Sequence, residues 1–200
     1  NVYGFTIDLL QAICKVEHLS FRFEQAGSEN LMSGLQRGLF QGIISTLEPL
    51  NTVSETFVLS NLYFETGPVL VVPYDSNLTS LSQFKSKIIG TLANSDAFGI
   101  VQKYPFIMIS TYSNPAFLME ALVYNDLDGA VLSVLEAESF VRNLYYKVLK
   151  VVSEPLNNEG LRLIALKGDD SFLIERFNRG LETCKKRGIY KNLRIKWELN

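Results

Sequence analysis

Two short polar clusters follow apolar runs in this chain, and they are the natural places to look for chemistry. The run Gly42-Ile43-Ile44 passes directly into Ser45 and Thr46, a buried strand ending in hydroxyls, with Glu48 in the irregular stretch behind it. Further on, the run Ile88 to Thr91 leads into Asn94-Ser95-Asp96, where a helix opens and Asp96 is placed to cap it by accepting from its own first amides. Groups of this kind hold polar ligands by hydrogen bonds. No Ser-His-Asp arrangement, no phosphate loop of the G-x-x-x-x-G-K type and no acid/base pair stands out, so no enzyme and no cofactor is expected. The one histidine, His18, reads as a helix-end residue, and no metal site is expected. Cys14 and Cys184 each fall on the apolar face of a helix and read as buried free thiols rather than a disulfide.

Composition narrows the classes further. The 200 residues carry a net charge of -2 with 20% charged residues, and the densest basic run, Lys185-Lys186-Arg187, reads as a solvated helix end, so no nucleic-acid partner is expected. No stretch of about eighteen apolar residues suggests a membrane span. A 47% hydrophobic content suffices for one sizeable core or two small ones. The opening Asn1-Val2-Tyr3-Gly4 reads like the middle of something, so the lack of a visible export signal decides little about location.

The elements that would position these clusters follow from periodicity. Gly4 to Lys15 is helical, with Leu9, Leu10, Ile13 and Cys14 at three-to-four spacing; Ser20 to Glu24 alternates with Phe21 and Phe23 on one face and predicts a strand. Leu31 to Arg37 predicts a helix stopped by Gly38, Leu47 to Thr66 is irregular, and Pro68 to Val72 is an apolar strand. From Leu81 to Val152 helices and strands alternate, which predicts mostly parallel pairing in an α/β architecture. A second apolar strand, Leu161 to Leu166, precedes a long helix with Leu173, Phe177, Leu181 and Cys184 on one face. The block between the two apolar strands is self-contained, so the simplest account is one small domain inserted into another and joined by two hinge strands. Residues 1–70 and 162–200 would form one lobe and 71–161 the other.

Five segments, in order, carry a family resemblance. They are Gly4-Phe5-Thr6-Ile7-Asp8-Leu9, Leu35-Gln36-Arg37-Gly38 with Gly42-Ile43-Ile44-Ser45, Leu59-Ser60-Asn61-Leu62-Tyr63-Phe64-Glu65-Thr66-Gly67, Leu127-Asp128-Gly129-Ala130-Val131, and Glu175 to Trp197. Together the chain resembles the polar-amino-acid solute-binding proteins of ABC importers, extracellular solute-binding family 3. The resemblance implies the two-lobed type II periplasmic binding protein fold, with a discontinuous lobe 1 and an inserted lobe 2. It implies a further strand before the first helix, upstream of Asn1. It also implies a small-molecule ligand, a membrane permease as partner, a periplasmic or lipid-anchored location outside the inner membrane, and, by default, a monomer.

The same resemblance implies a site that this chain alters. The family grips the ligand carboxylate with an arginine after the "IIS" strand, where the ungapped alignment places Val53, and no residue from Leu47 to Phe57 is cationic. The family's ammonium-binding aspartate falls on Ser133, with Glu136 one helical turn further on. The helix N-terminus that would meet the carboxylate reads Asn94-Ser95-Asp96, and an acid there competes with an anion. The groups implied to line the cleft are therefore Ser45, Thr46, Glu48, Asn94, Ser95, Asp96 and Ser133. They are neutral or acidic, which suits an amino-acid derivative, a cationic solute or a peptide; the alternative is a ligand-degenerate sensor or interaction module of the same fold. Tyr63 and Phe64 read as core or hinge packing.

Overall fold

The computed structural model of the protein describes residues 3–24, 26–27, 31–46, 56–168 and 171–199. In chain order its elements are α1 (Phe5–Glu17), α2 (Leu31–Gln36), β1 (Ile43–Ser45), β2 (Phe57–Leu59), β3 (Phe64–Glu65), β4 (Pro68–Pro73), β5 (Ile88–Leu92), α3 (Asp96–Val101), β6 (Met108–Tyr112), α4 (Pro115–Val123), β7 (Gly129–Ser133), α5 (Val134–Asn143), β8 (Leu149–Val151), β9 (Gly160–Leu166), α6 (Ser171–Lys186) and α7 (Ile189–Lys196). The chain divides into two compact units, one made of Asn1–Phe64 with Leu161–Asn200, the other of Glu65–Gly160.

The first unit is built on an antiparallel sheet in the order β1-β9-β2, with β3 also on β9. Two amphipathic helices cover it. The apolar stripe of α1 (Phe5, Leu9, Leu10, Ile13) meets that of α6 (Leu173, Ile174, Phe177, Leu181, Cys184), and Tyr63, Leu163 and Ala165 close the core beneath them. His18 ends α1 in the left-handed conformation (φ 53°), its amide bonded to the Cys14 carbonyl, as its helix-end reading requires. Cys14 and Cys184 are both free, and burial raises both thiols above their ordinary range.

The second unit holds a five-stranded sheet in the order β6-β5-β7-β4-β8. The uninterrupted apolar run of β4 is explained by burial on both faces. Val69 and Val71 face Leu118, Met119, Leu122 and Ala137 on one side, while Leu70 and Val72 face Phe84, Ala97 and Val101 on the other. The four helix-linked strands run the same way, with β5 parallel to both β6 and β7 and β8 sharing their direction; β4 alone runs against its neighbours β7 and β8.

The parallel pairing expected of Leu81 to Val152 holds for β5 with β6 and β7, while the first unit's sheet is antiparallel and β4 runs against its neighbours. The two apolar strands β4 and β9 lie in different sheets. Two other expectations need correction. Residues 20–24 are not a strand: none of them takes part in a backbone ladder among the described residues. Their alternation instead seats Phe21 on the first unit's core, with the Phe23 ring 6.4 Å from it. The segment Leu81 to Lys85 shrinks to a single 3-10 turn, Leu81–Gln83, held by reciprocal bonds between Ser80 and Gln83.

Candidate functional site

The second unit places four of the expected residues on neighbouring turns. In sheets whose strands are linked by helices, the turns beyond the carboxyl ends of the strands are free to meet a ligand. β5 and β7 are parallel neighbours in register (Thr91 opposite Val131), so the turn that follows β5 lies beside the turn that follows β7. The first of these carries Asn94, Ser95 and Asp96; the second carries Ser133.

The local geometry assigns each a structural job. Asn94 takes a left-handed conformation (φ 58°) and is exposed, and its short side chain tolerates this turn. Ser95, not Asp96, stands at the N-cap of α3, and its hydroxyl donates to the Leu92 carbonyl at 2.7 Å instead of capping the helix. Asp96 is thereby the first helical residue and is exposed, which corrects its expected role as the cap; a side chain at that position is poorly aimed at its own first-turn amides. Ser133 is the N-cap of α5 and accepts from the Glu136 amide at 3.4 Å. The Val134 amide is fixed to the Gly67 carbonyl, so this turn is held on both sides.

The carboxyl ends of the strands in this unit carry acids without a cation. Asp96 and Glu136 occupy the first turns of α3 and α5, at the carboxyl ends of the strands. The unit's cations lie elsewhere. Lys85 and Lys87 precede β5, Lys103 follows α3, Arg142 ends α5, Lys147 precedes β8 and Lys150 lies within it. An end with acids and no cation attracts positive groups and repels carboxylates.

The first unit contributes Ser45, the half-buried last residue of β1, and the exposed Thr46. Glu48 and Val53 lie outside the described residues. Arg162 on β9 is the direct cross-strand partner of Ser45 and is half-buried. No local spacing signals it, because β1 and β9 are distant in sequence. Tyr63 and Phe64 are buried in the first unit's core. The Tyr63 hydroxyl is 3.1 Å from Thr6 Oγ1, and burial pushes its pKa up to about 12, so it serves packing.

The first unit also contains a cavity of about 650 Å³ lined by Leu10, Phe21, Phe23, Phe40, Ile44 and Leu173 among others. It lies between the unladdered segment 19–24 and the β1 edge, and none of the six expected site residues that are described lines it. Among the described residues no group of His, Cys, Asp or Glu could hold a metal ion, and no helix is long and apolar enough to cross a membrane.

Comparison with known proteins agrees with this architecture. Residues 1–200 match the family described as bacterial extracellular solute-binding proteins, family 3. The ABC transporter glutamine-binding protein of Bacillus subtilis (strain 168) is 24% identical over 207 residues, spanning 98% of this chain and 73% of the relative. The ABC transporter arginine-binding protein 1 of Escherichia coli (strain K12) is 22% identical over 201 residues, spanning 98% and 82%. Among solved structures, the L-cystine solute receptor of Neisseria gonorrhoeae in its unliganded open conformation superposes with a TM-score of 0.85 at 20% identity, covering 100% of this chain and 85% of that one. The fold is that of the type II periplasmic binding proteins, and these relatives bind solutes rather than catalyse reactions. The chain belongs to the bacterial extracellular solute-binding proteins, family 3.

Proposed function

We propose that this chain is the solute-binding component of an ABC-type importer and that its solute carries a cationic group, held in an atypical way. It would deliver that solute to a membrane permease on the outer side of the cytoplasmic membrane. The observation that carries the reading is the carboxyl end of the second unit's sheet. Asn94, Ser95, Asp96 and Ser133 converge there in register, with Glu136 behind them and no cation of that unit among them. Such an end favours an ammonium or guanidinium group. The glutamine- and arginine-binding relatives support an amino-acid-like solute.

Thermal unfolding in the presence of free amino acids, short peptides and polyamines tests this. A true solute at a hundred times its dissociation constant adds about 2.7 kcal/mol to the stability of the protein. Stabilisation by at least one cationic compound is the expected result. Stabilisation only by acidic compounds overturns the cationic reading, and a flat response to the whole panel leaves the ligand-degenerate module as the better account.

Ser133 gives a sharper measurement. Ser133→Asp keeps a good N-cap for α5 and places a full charge where the neutral hydroxyl now stands. A charge-assisted hydrogen bond is about twice as strong as a neutral one, so calorimetric affinity for an ammonium-bearing solute should rise roughly tenfold. Ser133→Ala should instead lose the cap and about 1 kcal/mol of stability. Unchanged affinity in Ser133→Asp would remove Ser133 from the site.

A further inference from the structure

We propose that Asn77 is an acceptor for N-linked glycosylation, presented by the second unit on an exposed stretch of chain. Asn77-Leu78-Thr79 is the one place in the 200 residues where an asparagine is followed two positions on by a serine or threonine, and no proline stands between them. The stretch follows β4 and leads into the 3-10 turn Leu81–Gln83. Exposure alternates along it. Asp75, Asn77 and Thr79 are exposed, while Ser76 and Leu78 are half-buried and Leu78 packs against the unit's core. This is the alternation of an extended chain, whose alternate residues project to one side. The acid, the carboxamide and the hydroxyl therefore face solvent together. Because β4 runs against β7 and β8, the stretch leaves the sheet at the end opposite the turns of Asn94 and Ser133.

The side-chain amide of Asn77 takes part in no hydrogen bond among the described residues, so its Nδ2 is open to a transferase. The donor is an oligosaccharide carried on a polyprenyl diphosphate. Asn77 Nδ2 forms a bond to the anomeric carbon of the first sugar. The bond from that carbon to the diphosphate oxygen breaks, and its electron pair leaves with the lipid diphosphate. The nitrogen gives one of its two protons to a base of the transferase, and no oxidant or reductant is involved. An amide lone pair is delocalised and attacks weakly, so the acceptor has to be held closely by the groups beside it. The Thr79 hydroxyl supplies one hold; in the free protein it donates to Gln83 Oε1 at 3.3 Å, a long bond that is readily exchanged. Asp75 supplies a carboxylate for a cationic group of the transferase. The stretch keeps its shape through the Ser76 amide on the Pro73 carbonyl at 3.0 Å and the Thr79 amide on Gln83 Oε1 at 2.8 Å, neither of which uses Asn77. The family is described as extracellular, and a surface glycan is bulky and solubilising.

The test treats the purified, folded protein with a single-subunit bacterial oligosaccharyltransferase and a polyprenyl-diphosphate-linked oligosaccharide of known mass. Intact mass and peptide mapping read the product, and a synthetic peptide of residues 73–83 serves as the unfolded acceptor. Wild type should gain the mass of one glycan, on the peptide that carries Asn77. Asn77→Gln and Thr79→Ala, both at exposed positions outside the core, should gain none. Asp75→Asn should be glycosylated roughly tenfold more slowly. No added glycan on the wild-type protein overturns the proposal, and so does a glycan still added to Asn77→Gln. Modification of the synthetic peptide alone overturns it as well, since the fold would then withhold the acceptor. An unchanged rate for Asp75→Asn overturns the part given to Asp75.

Discussion

Replacing Phe177 by alanine is expected to cost about 3–5 kcal/mol of stability and to lower the thermal midpoint of the protein by about 10 °C. Phe177 is wholly buried on α6, at the centre of the layer that joins α6 to α1 and to the sheet. Its ring meets Tyr63 edge-on with centroids 5.9 Å apart, and Leu9, Ile13 and Leu181 belong to the same cluster. Truncation removes the transfer free energy of the ring and leaves a cavity that well-packed neighbours cannot fill. Phe177→Leu retains most of the volume and should cost under half as much. Circular dichroism during heating or urea titration reads both values. A loss below about 1 kcal/mol for the alanine variant would mean that α6 does not seat on β9 as described.

Glu17→Ala is the second large effect, about 2–3 kcal/mol. Glu17 is only 6% exposed, at the last turn of α1, and its carboxylate accepts from Arg176 Nε at 2.8 Å and from Arg179 Nε at 3.0 Å. Arg176 also donates to the Glu17 backbone carbonyl, so the cluster ties the end of α1 to α6. Removing the carboxylate strands the partly buried guanidinium of Arg176, whereas Arg179 is mostly exposed and relaxes into solvent. The figure therefore sits at or below the low end of the range for breaking buried pairs.

The same cluster makes stability depend on pH in a definite direction. The hydrogen bond from Arg179, and then that from Arg176, hold the Glu17 carboxyl below its ordinary range against the opposing effect of burial. A folded-state pKa below the unfolded one stabilises the fold at every pH above the unfolded value, about 4.3 for glutamate. That contribution disappears as pH falls through the depressed folded value. Asp8 behaves alike, lowered by its bonds from Lys196 and then Trp197, which fasten α7 to α1. Wild-type stability should therefore fall steeply below about pH 4, and Glu17→Gln should show a shallower acid limb. Parallel acid limbs in the two proteins would contradict the assignment.

Local order was legible in the sequence because it depends on neighbours a few residues apart. The apolar stripes of α1 and α6, the unbroken run of β4, the left-handed stop at His18 and the alternation from β5 to β8 all follow from periods of two and 3.6 and from chain-reversing residues. Hydroxyls at the end of β1 and the polar turn after β5 could be named as candidates for the same reason. What tertiary structure alone decided is pairing. The alternation of Ser20 to Glu24 looked like a strand, but a strand exists only where a second chain segment accepts its ladder. The reversed direction of β4 depends on where the chain enters the second sheet, and the shift of the α3 cap from Asp96 to Ser95 depends on a single backbone turn at Asn94. Arg162 is the clearest case. It stands opposite Ser45 only because β9 runs back along β1, a pairing of distant segments that no local period encodes.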